Sequence, residues 1–214
     1  MIKHPSQRVA VLIDTQNLYY SARNLFNAKV NFKNIVEDAV ADRQLTRAIA
    51  YVVKTKTGEE KPFFEALEKI GIETKEKELQ IFFGGAKKAD WDVGLAIDAV
   101  VLGEKVDSIV LVTGDGDFKP LVQYLKLTKG VHVEVMAFRE TTSAKIIEVA
   151  NEYIDLSEDQ GRYLITGKES KKPSSPTSTQ AGRRVTTSSV KPQATHKTKT
   201  GRRARPRIPL SSIK

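Results

Sequence analysis

The stretch VLVTGDGDFKPLV, Val110–Val122, decides the fold. SIVLVT, Ser108–Thr113, reads as a buried strand, and DFKPLVQYLKLTKG, Asp117–Gly130, reads as a helix. At the junction stand Asp115 and Asp117, two carboxylates placed just after an apolar run. Carboxylates resist burial unless something pairs with them, so this junction asks for a charge partner as well as a turn. Gly114 and Gly116 are expected to let the backbone turn sharply and approach a ligand closely.

The same alternation recurs outward from this stretch. RVAVLID, Arg8–Asp14, is an apolar run, β-branched at Val9, Val11 and Ile13, that ends in an acid. FKNIVEDAV, Phe32–Val40, carries apolar residues at helical spacing, and LTRAIAYVV, Leu45–Val53, returns to strand. KPFFEALEKIG, Lys61–Gly71, reads as a helix whose closing glycine suits a left-handed cap. ELQIFF, Glu78–Phe83, is expected to be a strand and GGAKKAD, Gly84–Asp90, a loop. DWDVGLAIDAVVLG, Asp90–Gly103, reads as a helix with Asp90 as its N-cap. VHVEVMAF, Val131–Phe138, is a strand, SAKIIEVAN, Ser143–Asn151, a helix, and a short strand is expected near Tyr153 and Ile154. Strands alternating with helices imply an α/β fold: a parallel sheet covered on both faces, with right-handed crossovers. In such sheets sites form at the carboxyl ends of strands near a topological switch point. Asp14 ends the first strand, and Asp115 follows the fourth.

Composition bounds the chemistry. The 214 residues suffice for one domain and a remainder. Cysteine is absent, which excludes disulfides, thiolate metal sites and a cysteine nucleophile. No charged n-region and apolar h-region precede Val9, and no apolar run approaches the roughly 18 residues of a spanning helix, so the expectation is a cytoplasmic chain with no membrane partner. Charge is uneven. Residues 1–167 carry 22 Lys/Arg against 25 Asp/Glu, a net of −3, whereas residues 168–214 carry 13 Lys/Arg against one acid, a net of +12. That C-terminal segment is rich in Ser, Thr, Pro, Lys and Arg and has no aromatic residue, so it is expected to be a disordered tail. A basic tail on a slightly acidic domain points to a polyanion, most often nucleic acid.

The acids lie in a pattern. Asp14 closes the first strand with Asn17 three residues on, Asp90 and Asp92 open the helix after the GGAKKA loop, Asp98 lies further along it, and Asp115 and Asp117 sit in TGDGD. Converging carboxylates raise one another's pKa, and a divalent cation such as Mg²⁺ removes the conflict. An ion there activates a water and neutralises charge on a scissile phosphate. Each acid also has a structural alternative: Asp117 and Asp90 as helix caps, Asp98 as a solvated helix position, Asp14 as a turn former. The histidines His4, His132 and His196 lack ligand spacing, and His132 reads as half-exposed on a strand. Trp91, Tyr19 and Tyr20 are candidates for stacking bases or for packing, and Lys87 and Lys88 for contacting phosphate or lining a solvated loop. No GxGxxG or GxxxxGK[ST] motif is present.

Three stretches, VAVLIDTQNLYYSARN, KKADWDVGLAIDAV and DSIVLVTGDGDFKPLVQYLKLTKGVHVEVMAF, together resemble the NYN domain of the LabA-like branch of the PIN-like nuclease superfamily. The resemblance runs in order from about Arg8 to Leu156, leaves the tail uncovered, and departs at Ala89, where similar sequences often carry Gly. It implies a three-layer α/β/α sandwich with a mainly parallel sheet and an acidic pocket for Mg²⁺ or Mn²⁺. By motif position it implies Asp14, Asp92, Asp115 and Asp117 as the catalytic and metal-binding set, Asn17 as polar partner of Asp14, and Asp98 as a further acid.

The reading that follows is a metal-dependent ribonuclease over residues 1–167, supported by Asn17, Asp98, Thr113 and Lys88, with RNA as partner, a basic tail over 168–214 and self-association left open. The alternative is a non-catalytic RNA-binding or regulatory protein of the same fold. A haloacid-dehalogenase-type phosphohydrolase needs an acid two residues after its nucleophile, where Gln16 stands, and a Toprim-type site needs a glutamate where Asp14 stands.

Overall fold

The five residues Val9–Ile13 have no exposed surface, because the strand they form, β1 (Arg8–Asp14), is covered on both faces. The computed structural model describes residues 3–55, 57–81, 87–88 and 90–166. Around β1 the chain forms α1 (Thr15–Phe26), α2 (Phe32–Val40), β2 (Gln44–Lys54), α3 (Lys61–Lys69), β3 (Glu73–Glu78), α4 (Asp92–Leu102), β4 (Ser108–Val112), α5 (Lys119–Thr128), β5 (His132–Ala137), α6 (Ala144–Val149), β6 (Glu152–Asp155) and α7 (Gln160–Tyr163). Short antiparallel pairs join Lys29–Val30 to Leu164–Ile165 and Gln80–Ile81 to Lys87–Lys88.

The six main strands form one parallel sheet in the order β3-β2-β1-β4-β5-β6. Strand periodicity sorts β1 between two layers. Val9, Val11 and Ile13 pack with Leu18, Ile35, Phe64 and Leu67 of α1, α2 and α3, whereas Ala10 and Leu12 pack with Leu95, Leu125 and Ile146 of α4, α5 and α6. The result is the expected three-layer α/β/α sandwich. Chain progression reverses between β1 and β4, so the carboxyl ends of these two strands flank the switch point.

Several local expectations change. The third strand is Glu73–Glu78, ETKEKE, with only Gln80–Ile81 in a short pair beyond it; the Phe82 and Phe83 end of the expected strand lies outside the described residues. Helix α1 breaks no rule but was not legible, because Tyr19, Tyr20 and Leu25 stand exposed on it and blur its apolar stripe. Helix α4 begins at Asp92 after Trp91 with no side-chain cap, so Asp90 is not its N-cap. Gly71 does take the left-handed conformation beyond α3, at φ 82°. His132 is 9% exposed rather than half-exposed, and burial lowers its pKa. The expected disorder of residues 168–214 falls outside the described residues.

A buried ion network braces the sheet at Glu134. Its carboxylate has no exposed surface and accepts from the Arg43 guanidinium, from the Ser108 hydroxyl at 2.8 Å and from Lys3 Nζ at 2.9 Å. Burial pushes the Glu134 carboxyl up, but these three donors outweigh it and hold it below the ordinary range. Arg43 also donates to the Val40 carbonyl at 3.2 Å, satisfying the end of α2.

Candidate active site

The site is built from the carboxyl ends of β1 and β4. Asp14 is the N-cap of α1: its Oδ1 accepts the Asn17 backbone N–H at 3.1 Å, and its Oδ2 accepts the Thr113 hydroxyl at 3.2 Å. The Thr113 oxygen in turn accepts the Asp115 N–H at 3.2 Å, and Asn17 Oδ1 accepts the Gly114 N–H at 3.0 Å. One hydroxyl and one amide thus tie the two strand ends together. Asp115 Oδ1 accepts the Asp117 N–H at 2.8 Å and so caps the single 3₁₀ turn Gly116–Phe118 that leads into α5. Asp115, not Asp117, is the capping residue there, and Asp117 is left exposed.

Gly114 and Gly116 act by close approach to protein, not by a left-handed turn; neither has a positive φ. A Cβ on Gly114 would meet the Thr141 carbonyl and Thr142 at 3.0 Å, and one on Gly116 would meet Ser143 Oγ at 2.5 Å. The Ser143 N–H donates to the Gly114 carbonyl at 2.9 Å, and Ser21 of α1 and Thr141 join their hydroxyls at 2.8 Å. The Thr141–Ser143 segment is therefore the outer wall of the TGDGD loop. Sequence reasoning missed it, since nothing in the hydroxyl run TTS names its neighbour.

The acids sense one another. Burial raises the Asp14 pKa, the bonds from Asn17 and Thr113 oppose it, and the charges of Asp92 and Asp115 raise it further. Asp92 is raised by burial and then by Asp115, Asp90 and Asp117, with Lys77 opposing. Asp14, Asp92, Asp115 and Asp117 thus share one electrostatic neighbourhood across two strand ends and a helix start. Among the described residues neither the Asp92 nor the Asp117 carboxylate has a hydrogen-bond or ion-pair partner. Asp98 stands apart from them. It accepts from the Tyr51 hydroxyl at 2.7 Å and from Lys75 Nζ at 2.6 Å, a satisfied pair on the flank of α4.

The donor set is oxygen only, short of positive charge and mutually repelling, which suits a hard divalent cation. Among the described residues no three acidic or histidine side chains form a group able to hold a metal ion. Mg²⁺ is typically bound by one or two carboxylates with waters and substrate phosphate, so such a site does not need three preassembled carboxylates.

Lysines of β3 are the second feature that sequence reasoning missed. Lys75 and Lys77 share one face of the strand: Lys75 holds Asp98 of α4, and Lys77 donates to the Asp90 carbonyl just before that helix at 2.7 Å and lies 5.6 Å from the Trp91 ring centre. The available signal was the K-x-K alternation in ETKEKE. Trp91 is a packing residue: its indole N–H donates to the Val52 carbonyl at 2.9 Å, its ring meets Tyr51, and Gly94 fits beneath it, where a Cβ would come within 2.5 Å. Lys87 and Lys88 form a short strand, but the Lys88 side chain and Ala89 lie outside what is described.

Comparison with known proteins agrees with this architecture. A model of the NYN domain matches residues 8–157. The low amplitude and bright protein LabA of Synechococcus elongatus is 26% identical over 160 residues, 71% of this chain and 84% of that protein. A crystal structure of a protein of unknown function from Vibrio parahaemolyticus is similar with a TM-score of 0.69 and 28% identity, over 77% of this chain and all of that one.

Proposed function

The chain belongs to the NYN family of the PIN-like nuclease superfamily, and from that premise we propose that it is a metal-dependent ribonuclease. The observation that carries the reading is the meeting of Asp14 and Asp115 at the ends of the two strands that flank the switch point, tied together through the Thr113 hydroxyl, with Asp92 near enough for Asp115 to raise its pKa. Asp14, Asp92 and Asp115 would hold Mg²⁺ or Mn²⁺, with Asp117 as a further ligand. When bound, that ion supplies an activated water and charge neutralisation at a scissile phosphate. The chain's own residues do the positioning. Thr113 orients Asp14, Asn17 fixes the Gly114 amide and with it the TGDGD loop, and Lys88 meets a flanking phosphate. Residues 168–214, with a net charge of +12, add affinity for the RNA backbone without sequence choice. The domain boundary near residue 167 and a cytoplasmic location belong to the same reading; among the described residues no helix is long and apolar enough to cross a membrane.

A second reading keeps the fold and the RNA but not turnover, and the structural work of Asp14 and Asp115, which cap α1 and the Gly116–Phe118 turn, favours it. One experiment separates the two. The pure protein is incubated with labelled single-stranded RNA and DNA in Mn²⁺, Mg²⁺ or EDTA, beside Asp115→Asn. Cleavage of RNA that needs metal and vanishes in the variant supports the nuclease; binding without cleavage by the wild type supports the second reading.

A further inference from the structure

Three aromatic residues near the acids are candidates for stacking, and the structure separates them. Trp91 is committed to Val52, Tyr51 and Gly94. Tyr19 and Tyr20 are instead 46% and 55% exposed on α1, the helix that Asp14 caps. Their rings stand 5.4 Å apart at 73°, an edge-to-face pair. Arg23, one turn on, donates to the Tyr19 hydroxyl at 3.0 Å with its guanidinium 5.9 Å from the Tyr19 ring centre. Two adjacent exposed rings braced by a cation are preorganised, unlike a lone surface tyrosine.

Their position matters as much as their exposure. Helical spacing puts Asn17, Tyr20 and Asn24 on one stripe, with Tyr20 three residues, about 4.5 Å along the axis, beyond Asn17. Asn17 is the residue whose side chain holds the Gly114 amide at the acid cluster. A strand whose phosphate lies at the acids therefore has an aromatic ring less than one helical turn beyond Asn17, the residue that borders them. An acidic cluster repels the backbone that it must receive, so affinity has to come from beside it. Base–aromatic stacking supplies it without charge, and the guanidinium of Arg23 supplies a cation at the same spot.

We propose that Tyr20, supported by Tyr19 and Arg23, is a stacking platform for a base of single-stranded RNA that passes the acid cluster. The proposal rests on the nuclease reading for the class of ligand and is tested apart from it. Binding of the full chain to a fluorescein-labelled twelve-nucleotide single-stranded RNA is measured by anisotropy in EDTA over a range of salt, with inorganic polyphosphate as the base-free probe. Tyr20→Leu is expected to weaken RNA binding roughly 5- to 150-fold, the range for loss of one stacked base, with the salt slope unchanged. Tyr20→Phe keeps a ring and is expected to restore most of that affinity, and polyphosphate binding is expected to stay the same in both variants. RNA affinity unchanged in Tyr20→Leu, or an equal loss toward polyphosphate, overturns the platform. Tyr20-dependent binding by a wild type that leaves RNA uncut in Mn²⁺ and in Mg²⁺ sinks the nuclease reading and leaves the platform standing. Cleavage with Tyr20 irrelevant to affinity does the reverse.

Discussion

Replacing Thr113 with valine removes one hydroxyl and nearly keeps the side-chain shape. That hydroxyl is fully buried, donates to Asp14 at 3.2 Å and accepts the Asp115 N–H at 3.2 Å. A hydrogen bond to a charged group contributes about 1.5–3 kcal/mol and a neutral one about 0.5–1.5 kcal/mol. Both distances lie at the long limit, which selects the low end of each range, so the expected loss at neutral pH is about 2 kcal/mol. The loss depends on pH. The folded pKa of Asp14 stands above its unfolded value, through burial first and the charges of Asp92 and Asp115 after. Ionised Asp14 therefore costs native stability at neutral pH, and that cost fades as pH falls through the folded pKa toward the unfolded value near 3.9. The Thr113 hydroxyl stabilises the ionised form, so without it the folded pKa rises further and the variant suffers most at neutral pH. As pH falls below the folded pKa of Asp14 the charged-group part of the loss shrinks in both proteins, leaving the unpaired Asp115 amide, worth roughly 0.5–1 kcal/mol. Urea unfolding of the two metal-free proteins near pH 7 and near pH 4 reads the difference. A gap below about 0.5 kcal/mol at neutral pH, or one that does not narrow in acid, would refute the claim that this hydroxyl couples the two strand ends.

Other perturbations reach the rest of the molecule. Asp115→Asn keeps an oxygen for the Asp117 amide and removes a charge that raises both Asp14 and Asp92, so the metal-free variant is expected to melt slightly higher by calorimetry while losing metal-dependent cleavage. Arg43→Met leaves the buried Glu134 carboxylate with Lys3 and Ser108 alone and is expected to cost about 3 kcal/mol in urea unfolding, the low end for breaking a buried pair, with part of it recovered by adding Glu134→Leu. Because the folded pKa of Glu134 lies below its unfolded value, this contribution is present above about pH 4.3 and is lost as pH falls through the folded value. Truncation after Gly167 is expected to leave a folded domain whose RNA affinity drops most at low salt, with the salt slope smaller by about 0.7 for each phosphate that the tail no longer neutralises; an unchanged slope, read by titration, would make the tail irrelevant to binding.

The sequence by itself determined the sheet interior and the strand–helix alternation. Val9–Ile13 and Ser108–Val112 are buried on both faces, and a strand with two buried faces has no choice but to be apolar throughout. It also placed Asp14 and Asp115 at strand ends, since a charge stops such a run. Strand β3 was illegible because ETKEKE lies at the sheet edge, where its side chains answer to local partners and not to a core. Helix α4 shows the limit most plainly. Its sequence is apolar nearly all round, so periodicity had no means of choosing between Asp92 and Asp98. Only the fold brings Lys75 and Tyr51 to Asp98 while setting Asp92 among Asp14, Asp115 and Asp117. Charge pairing acts through space over a few ångströms, and the residues that decide it are distant in the chain: Asp14 and Thr113 meet across ninety-nine positions. The same holds for the aromatics, where a carbonyl of β2 captured Trp91 and left Tyr19 and Tyr20 to the solvent.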